Sequence, residues 1–117
     1  MIPQKRRRRK KGKKYFTKVH EDAIIEYIDC TDREKRNVIY RDVIRPVFVE
    51  MINKIVFTYK FTNLPNVDSL KDECEIHLIT ILSNFDRNKG SKAFSYFSVI
   101  TKNWFIAKVK KNAMQLR

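Results

Sequence analysis

Apolar residues recur every three or four positions along most of this chain, which is the period of an amphipathic α-helix. A first helix is predicted over Lys18–Asp29, with three isoleucines on one face. Thr31 followed by Glu34 has the form of a capping box and predicts the start of a long second helix. That helix is predicted to reach about Phe61, with residues at spacings of four on its buried side: Ile39, Val43, Val47, Met51, Ile55 and Tyr59.

Two prolines interrupt the helical pattern in the middle of the chain. Pro46 lies inside the second helix and removes a backbone donor, so a kink or split is predicted near residues 44–45. The Asn-Leu-Pro-Asn segment at 63–66 predicts a stop. A third helix is then predicted from Asp68 or Ser69 to about Asn84, and the following residues form its buried stripe: Leu70, Cys74, Leu78, Ile81 and Phe85.

A fourth helix is predicted from Phe94 or Ser95 to about Asn112, after a loop over 85–93 that lacks any apolar period. This helix is apolar nearly all round, which is unusual for a helix on a protein surface. Either both of its sides are packed, or one side is an exposed aromatic and aliphatic surface for a partner.

These elements predict an all-α fold, a compact bundle of about four to five helices. A basic tail is expected at residues 1–14, the helical domain at 15–112 and a C-terminal tail at 113–117. The whole chain of 117 residues suits one domain, and its 2 glycines and 3 prolines are too few for a turn-rich sandwich or barrel. Cys30 and Cys74 are expected to be reduced, buried thiols.

No apolar run approaches the roughly 18 residues of a membrane span. The basic start has no apolar segment behind it, so a secretory signal is not predicted either. We therefore expect a cytoplasmic protein with no membrane partner.

The formal charge of +13 is unevenly distributed. Residues 1–14 hold nine basic side chains and no acidic one, residues 15–86 hold all 13 acidic residues, and residues 87–117 hold eight basic and no acidic residues. The first basic run is a solvated tail, a localisation signal or a phosphate-binding arm. In the last third, lysines alternate with aromatic rings, and this pattern favours a nucleic-acid strand, because ammonium groups bind phosphates and rings stack on unpaired bases. The alternative is that these rings are simply core.

Motifs for catalysis are absent from the sequence. It has no glycine-rich phosphate loop, no HExxH and no paired-cysteine zinc pattern. His20 and His77 lie far apart, and no further ligands face the acidic cluster around Asp72 and Glu73. Cys74 falls on the apolar face of its helix, so a nucleophilic pair with His77 is not supported. We expect neither an enzyme nor a cofactor or metal site.

An acidic helix that ends in Phe-Asp, a short Lys/Gly loop and a basic aromatic helix follow one another from about residue 68. This order resembles the region-2 domain of bacterial sigma factors, and it is closest to the late-transcription sigma factors of T-even-type phages. Lys14-Tyr15-Phe16 also resembles the opening of those factors, so the likeness covers about residues 13–112. The residues that carry its later part are Phe85, Asp86, Lys89, Lys92, Tyr96, Ser98, Asn103, Phe105, Ile106, Lys108, Lys110 and Lys111.

The resemblance implies two binding surfaces. In sigma factors the acidic helix binds a coiled coil of the beta-prime subunit of core RNA polymerase, and the matching residues here are Ser69, Asp72, Glu73 and Ile76. The next segment binds the non-template strand of an A·T-rich promoter element. The residues matched to that role are Lys89, Lys92, Phe94, Tyr96, Phe97, Lys102, Asn103, Trp104 and Lys108.

The resemblance further implies transcription of phage late genes at the nucleoid of a bacterial host, with a sliding clamp and a phage co-activator as additional partners. Primary sigma factors carry a tryptophan pair where this chain has Ile100 and Thr101, so weaker autonomous strand opening is expected. A helical nucleic-acid-binding protein without a polymerase partner is the alternative. A third interpretation is an anti-sigma or polymerase-appropriating protein that never contacts DNA.

Overall fold

Residues 15–90 and 92–115 are described by a computed structural model in which every regular element is helical. The five α-helices are α1 (Lys18–Asp29), α2 (Arg33–Ile39), α3 (Arg45–Thr58), α4 (Val67–Ile81) and α5 (Ala93–Gln115). No strand occurs within these residues. The predicted all-α bundle is confirmed, while the predicted basic tail at 1–14 lies outside the described residues.

The starts of the first two helices depend on local capping. The backbone N–H of Thr17 donates to Nδ1 of His20 over 2.9 Å at the start of α1, whose bounds match the prediction. At α2 the cap is Asp32, whose carboxylate accepts a 2.9 Å hydrogen bond from the N–H of Glu34. The prediction of Thr31 as the cap is therefore wrong by one residue, because a carboxylate two residues before Glu34 satisfies that N–H directly.

Pro46 separates α2 from α3 as predicted. The chain passes through one π-helical turn over Tyr40–Ile44, and the N–H of Arg45 bonds to the carbonyl of Tyr40, five residues back. Pro46 comes directly after this turn, in the first turn of α3, and the wider π-helical spacing accommodates the missing backbone N–H.

Two residues in the left-handed region turn the chain between α3 and α4. Lys60 has φ 62° and Asn66 has φ 58°, on either side of a 3₁₀ turn at Phe61–Asn63. The predicted stop is thus confirmed. The helix predicted as the third is α4 of the structure. It ends at Ile81 and is followed by a 3₁₀ turn over Leu82–Asn84, where the predicted helix ended. The last helix continues to Gln115, beyond its predicted end at about Asn112, so the first residues of the predicted tail are helical, and residues 116–117 lie outside the described part of the chain.

The core lies where α3 packs against α5 and α4, and α1 closes it by packing against the π-helical turn and α5. Phe48 and Phe97 are fully buried with their ring centroids 5.2 Å apart, and Phe61 stacks on Phe105 at 5.5 Å. Two sequence predictions about burial are corrected. Tyr59 remains 48% exposed at the end of the predicted stripe, and Cys30 is only partly buried.

Candidate functional site

One face of α4 presents acidic and apolar side chains to solvent. Ser69, Asp72, Glu73 and Ile76 are all exposed. Their spacings of three, four and seven residues place them on the same side of the helix. Ile76 is 63% exposed, and it lies one turn beyond the two carboxylates. The four residues predicted to bind polymerase are therefore brought together as one surface, which we call the α4 face.

Glu75 lies beside the α4 face, but it is buried and has a structural role. Its Oε2 accepts hydrogen bonds from Nε of Arg45 at 2.7 Å and from the hydroxyl of Tyr40 at 2.8 Å. Burial, together with this carboxylate, raises the pKa of Tyr40 far above its usual value. By contrast, neither Asp72 nor Glu73 forms an ion pair with another residue of the described chain. The carboxylates of the α4 face are thus available to an external partner.

The loop before α5 is anchored at both ends by α1. Arg87 donates to the carboxylate of Asp29 over 2.9 Å, and Glu21 accepts from the N–H of Ala93 over 2.9 Å. Lys89 and Lys92 are exposed between these anchors. Two of the four lysines predicted to bind DNA therefore lie on a tethered loop at the positive end of α5. Sequence reasoning missed Glu21, since no local pattern links residues 72 positions apart.

Phe97 does not belong to the DNA-binding surface. Its ring is fully buried against Phe48 and Phe85, with the latter centroid 5.9 Å away. It lies on the inward face of α5, where burial recurs every four residues from Ala93 to Phe105. The prediction that Phe97 receives a flipped base is wrong, because exposing this ring would open the core.

A stripe of α5 next to the core carries the accessible rings. Tyr96, Ile100, Trp104 and Lys108 follow at spacings of four and are all half-buried. The ammonium of Lys108 lies 4.7 Å from the centroid of Trp104, and Tyr96 packs on Phe85 at 5.4 Å. Both rings are therefore partly accessible, and Trp104 has a lysine beside it, an arrangement suited to stacking and phosphate binding.

Three other predicted DNA-binding residues lie away from this stripe. Lys102 points to another side of α5, because it follows Tyr96 by six residues rather than by a multiple of four. Its ammonium lies 4.4 Å from the ring centroid of Tyr59. Phe94 is 37% exposed and packs edge-on against Tyr15 at 5.9 Å. Asn103 is exposed on the outer side of α5. The predicted nucleic-acid residues thus divide between different sides of the helix.

Sequence reasoning also missed two exposed aromatics at the end of α3. Phe57 is 78% exposed, and Tyr59 follows two residues later beside Lys60. The signal was present, since two rings and a lysine stand close together in the Phe-Thr-Tyr-Lys run, as rings and lysines do in the last third of the chain. It was overlooked because Tyr59 also continues the spacing of the buried stripe.

Residues 15–90 and 92–115 contain no cluster of three or more histidine, cysteine, aspartate or glutamate side chains arranged to hold a metal ion. Within the same ranges, no helix combines the length and apolar character needed to cross a membrane.

Comparisons with family models, with curated proteins and with solved structures found no match to this chain.

Proposed function

We propose that this protein is a sigma-like transcription initiation factor that serves phage late genes. It binds core RNA polymerase through the α4 face and holds the non-template strand of an A·T-rich promoter element through α5 and the loop before it. The sequence resemblance to sigma region 2 motivates this proposal. The main structural support is the unpaired, exposed state of Asp72 and Glu73 beside Ile76.

The α4 face suits a basic, partly apolar protein helix better than a nucleic acid. Carboxylates repel phosphates, whereas exposed carboxylates around an apolar side chain complement lysines and arginines on a partner. Ile76 supplies the apolar contact that can be desolvated at the centre of such an interface. A protein that only bound nucleic acid would gain nothing from this surface.

The α5 surface suits a separated strand, but its rings can offset the unpairing of only a few bases. Stacking a base on an aromatic ring contributes about 1–3 kcal/mol, and unpairing one base costs a few kcal/mol, least in A·T-rich DNA. With Phe97 in the core and Phe94 packed against Tyr15 away from the stripe, Tyr96 and Trp104 are the rings available on one side of α5. They can balance the opening of a short A·T-rich patch, and polymerase must supply the rest of the bubble.

Charge reversal on the α4 face tests the polymerase partner. Glu73→Lys should abolish co-elution with core polymerase, because it replaces an unpaired carboxylate with a charge that repels a basic partner. Asp22→Lys on α1 is the matched control, since it makes the same charge change at another exposed site. Oligonucleotide binding should be equal or stronger in both variants, and both should retain the folded helical spectrum.

Equal capture of polymerase by wild type and Glu73→Lys would contradict the proposal. If the wild-type chain binds oligonucleotides but never co-elutes with polymerase, the alternative of a nucleic-acid-binding protein without a polymerase partner replaces it.

A further inference from the structure

A shallow groove follows the outer side of α3, and Phe57 lies at one end of it. Phe57 is 78% exposed, more than any other large apolar side chain in the described residues. Asn53, Glu50 and Pro46 are also exposed, and their spacings from Phe57 place them on the same side of the helix. Val49 and Lys54 complete the lining of this surface, which we call the α3 groove.

A second groove runs between α3 and α4 and joins the first. Val49 and Asn53 line both grooves. On the α4 side, the second groove is lined by residues that include Asp68 and Asp72. Asp72 also belongs to the α4 face, so one continuous surface leads from Phe57 across α3 to the acidic residues of the α4 face.

We propose that the α3 groove and the α4 face bind one partner, and that Phe57 anchors a basic amphipathic helix of that partner. This inference rests on the proposed function, in which the partner is core polymerase. A helix seated across the two grooves can place an apolar side chain on Phe57 and a lysine or arginine beside Asp72. In binding of this kind, the groove selects the apolar anchors and the charges along its rim fix their orientation.

The charges along this surface favour a basic protein helix over a nucleic acid. Lys54 lies 3.9 Å from Glu50 of its own helix, and its ammonium is also 5.3 Å from the ring centroid of Tyr15. Lys71 lies 3.7 Å from Asp68. The two lysines near the grooves thus have acidic neighbours, whereas Asp72 has no ion pair within the described residues. A phosphate backbone would meet an excess of carboxylates here.

Phe57 has the properties of an interface anchor. Aromatic side chains are enriched in the cores of protein interfaces, and a few such residues with a polar rim contribute most of the binding energy. Glu50 and Asn53 provide that rim on α3. Because most of the Phe57 side chain is in water, its truncation removes little of the packing within the protein.

The test measures the affinity of the full chain for core polymerase. Phe57→Ala should weaken this affinity by about tenfold, the effect of losing one aromatic anchor. Val19→Ala, at a residue 66% exposed on α1, is the control and should bind as wild type does. Binding of an oligothymidylate should be the same in both variants, because the α3 groove is not the strand-binding surface.

Asn53→Arg provides a second measurement at the point where the two grooves meet. The longer, positively charged side chain should obstruct a basic helix and weaken polymerase binding. Asn37→Arg on α2 makes the same change at another exposed helical position and should leave the affinity unchanged. Circular dichroism of all four variants should show the wild-type helical spectrum.

Glu73→Lys, measured beside these variants, separates this inference from the proposed function. If Glu73→Lys loses polymerase while Phe57→Ala and Val19→Ala bind equally well, the inference is overturned and the sigma-like function stands. If the wild-type chain never binds polymerase, both are overturned. A loss of oligothymidylate affinity in Phe57→Ala, with polymerase binding unchanged, would show that the groove binds a nucleic acid and would also overturn the inference.

Discussion

Glu21 of α1 accepts a hydrogen bond of 2.9 Å from the backbone N–H of Ala93, the first residue of α5. Its other carboxylate oxygen accepts from the N–H of Phe94 at 3.1 Å. The longest helix of the described chain is therefore capped by a side chain from an element far back in the sequence. This contact links the orientation of α1 to that of the loop with Lys89 and Lys92.

Removing this cap should destabilise the protein without altering its core. Glu21→Ala is expected to lower the free energy of unfolding by about 1–2 kcal/mol, as loss of a helix N-cap does. Urea denaturation followed by circular dichroism measures the change. Asp22→Ala is the control, because the ion pair of Asp22 with Lys18 is solvent-exposed and contributes little. Equal midpoints for the two variants would contradict a capping role for Glu21.

Two adjacent aromatics of α5 should respond very differently to truncation. Phe97→Ala removes a fully buried ring and should destabilise the fold by about 3–5 kcal/mol. Tyr96→Ala removes a half-buried ring and should cost markedly less stability while weakening oligonucleotide binding. Thermal unfolding and anisotropy on both variants check this. If Phe97→Ala is the more stable of the two, the assignment of Phe97 to the core is wrong.

Local sequence patterns predicted the helices and most of the buried positions on α3 and α4, but not the exposure of Tyr59 or the inward side of α5. Pro46 breaks its helix wherever the rest of the chain lies, so that break followed from backbone chemistry alone. Tyr59 was misplaced because α3 ends at Thr58, one residue before it. Its ring therefore lies beyond the last packed turn of the helix, although it continues the spacing of the buried stripe.

The strand-binding residues of α5 were harder to predict than the helices themselves. A helix that is apolar nearly all round gives no local sign of which ring faces inward, so Phe97 and Phe94 could not be distinguished. The α4 face was predictable because Ser69, Asp72 and Glu73 are polar on a helix whose opposite side is apolar. Contacts such as Glu21 with Ala93 depend on the packing of distant elements and leave no periodic signal.

Two glutamates of α4 are expected to have different roles, Glu75 in stability and Glu73 in binding. Glu75→Ala leaves Arg45 and Tyr40 without their shared acceptor and should destabilise the fold by about 1–3 kcal/mol. Glu73→Ala changes an exposed side chain and should alter stability by less than about 0.5 kcal/mol. Chemical denaturation of both variants distinguishes them. A larger loss for Glu73→Ala would show that the α4 face is engaged within the chain.

Trp104 offers an internal probe, because it is the only tryptophan in the sequence. Its ring is half-buried with Lys108 over one face, so binding of a strand along this stripe should change its emission. Lys108→Gln should lower the salt slope of oligonucleotide binding by about 0.7. Fluorescence titration at several salt concentrations measures both effects. Unchanged Trp104 emission at saturating oligonucleotide would place the bound strand elsewhere.

Cys74 should make the fold sensitive to alkaline pH. Burial raises the pKa of this thiol from 9.0 to about 12, although a hydrogen bond with Thr101 opposes the shift. Above pH 9 the unfolded chain loses the thiol proton while the folded chain keeps it. The unfolded state then binds fewer protons, so the free energy of unfolding falls as pH rises, by up to about 1.4 kcal/mol per pH unit.

Denaturation between about pH 8 and pH 10 isolates this thiol. Burial also raises the pKa values of Tyr40 and Tyr15, but from the higher starting value of 10.0. Cys74→Ala should lower stability at pH 8, because it leaves a small cavity, and should flatten the decline toward pH 10. Val56→Ala, at another buried position, should lower stability at every pH and keep the wild-type slope. If Cys74→Ala declines as steeply as Val56→Ala, the alkaline sensitivity has another source, since only the first variant lacks the buried thiol.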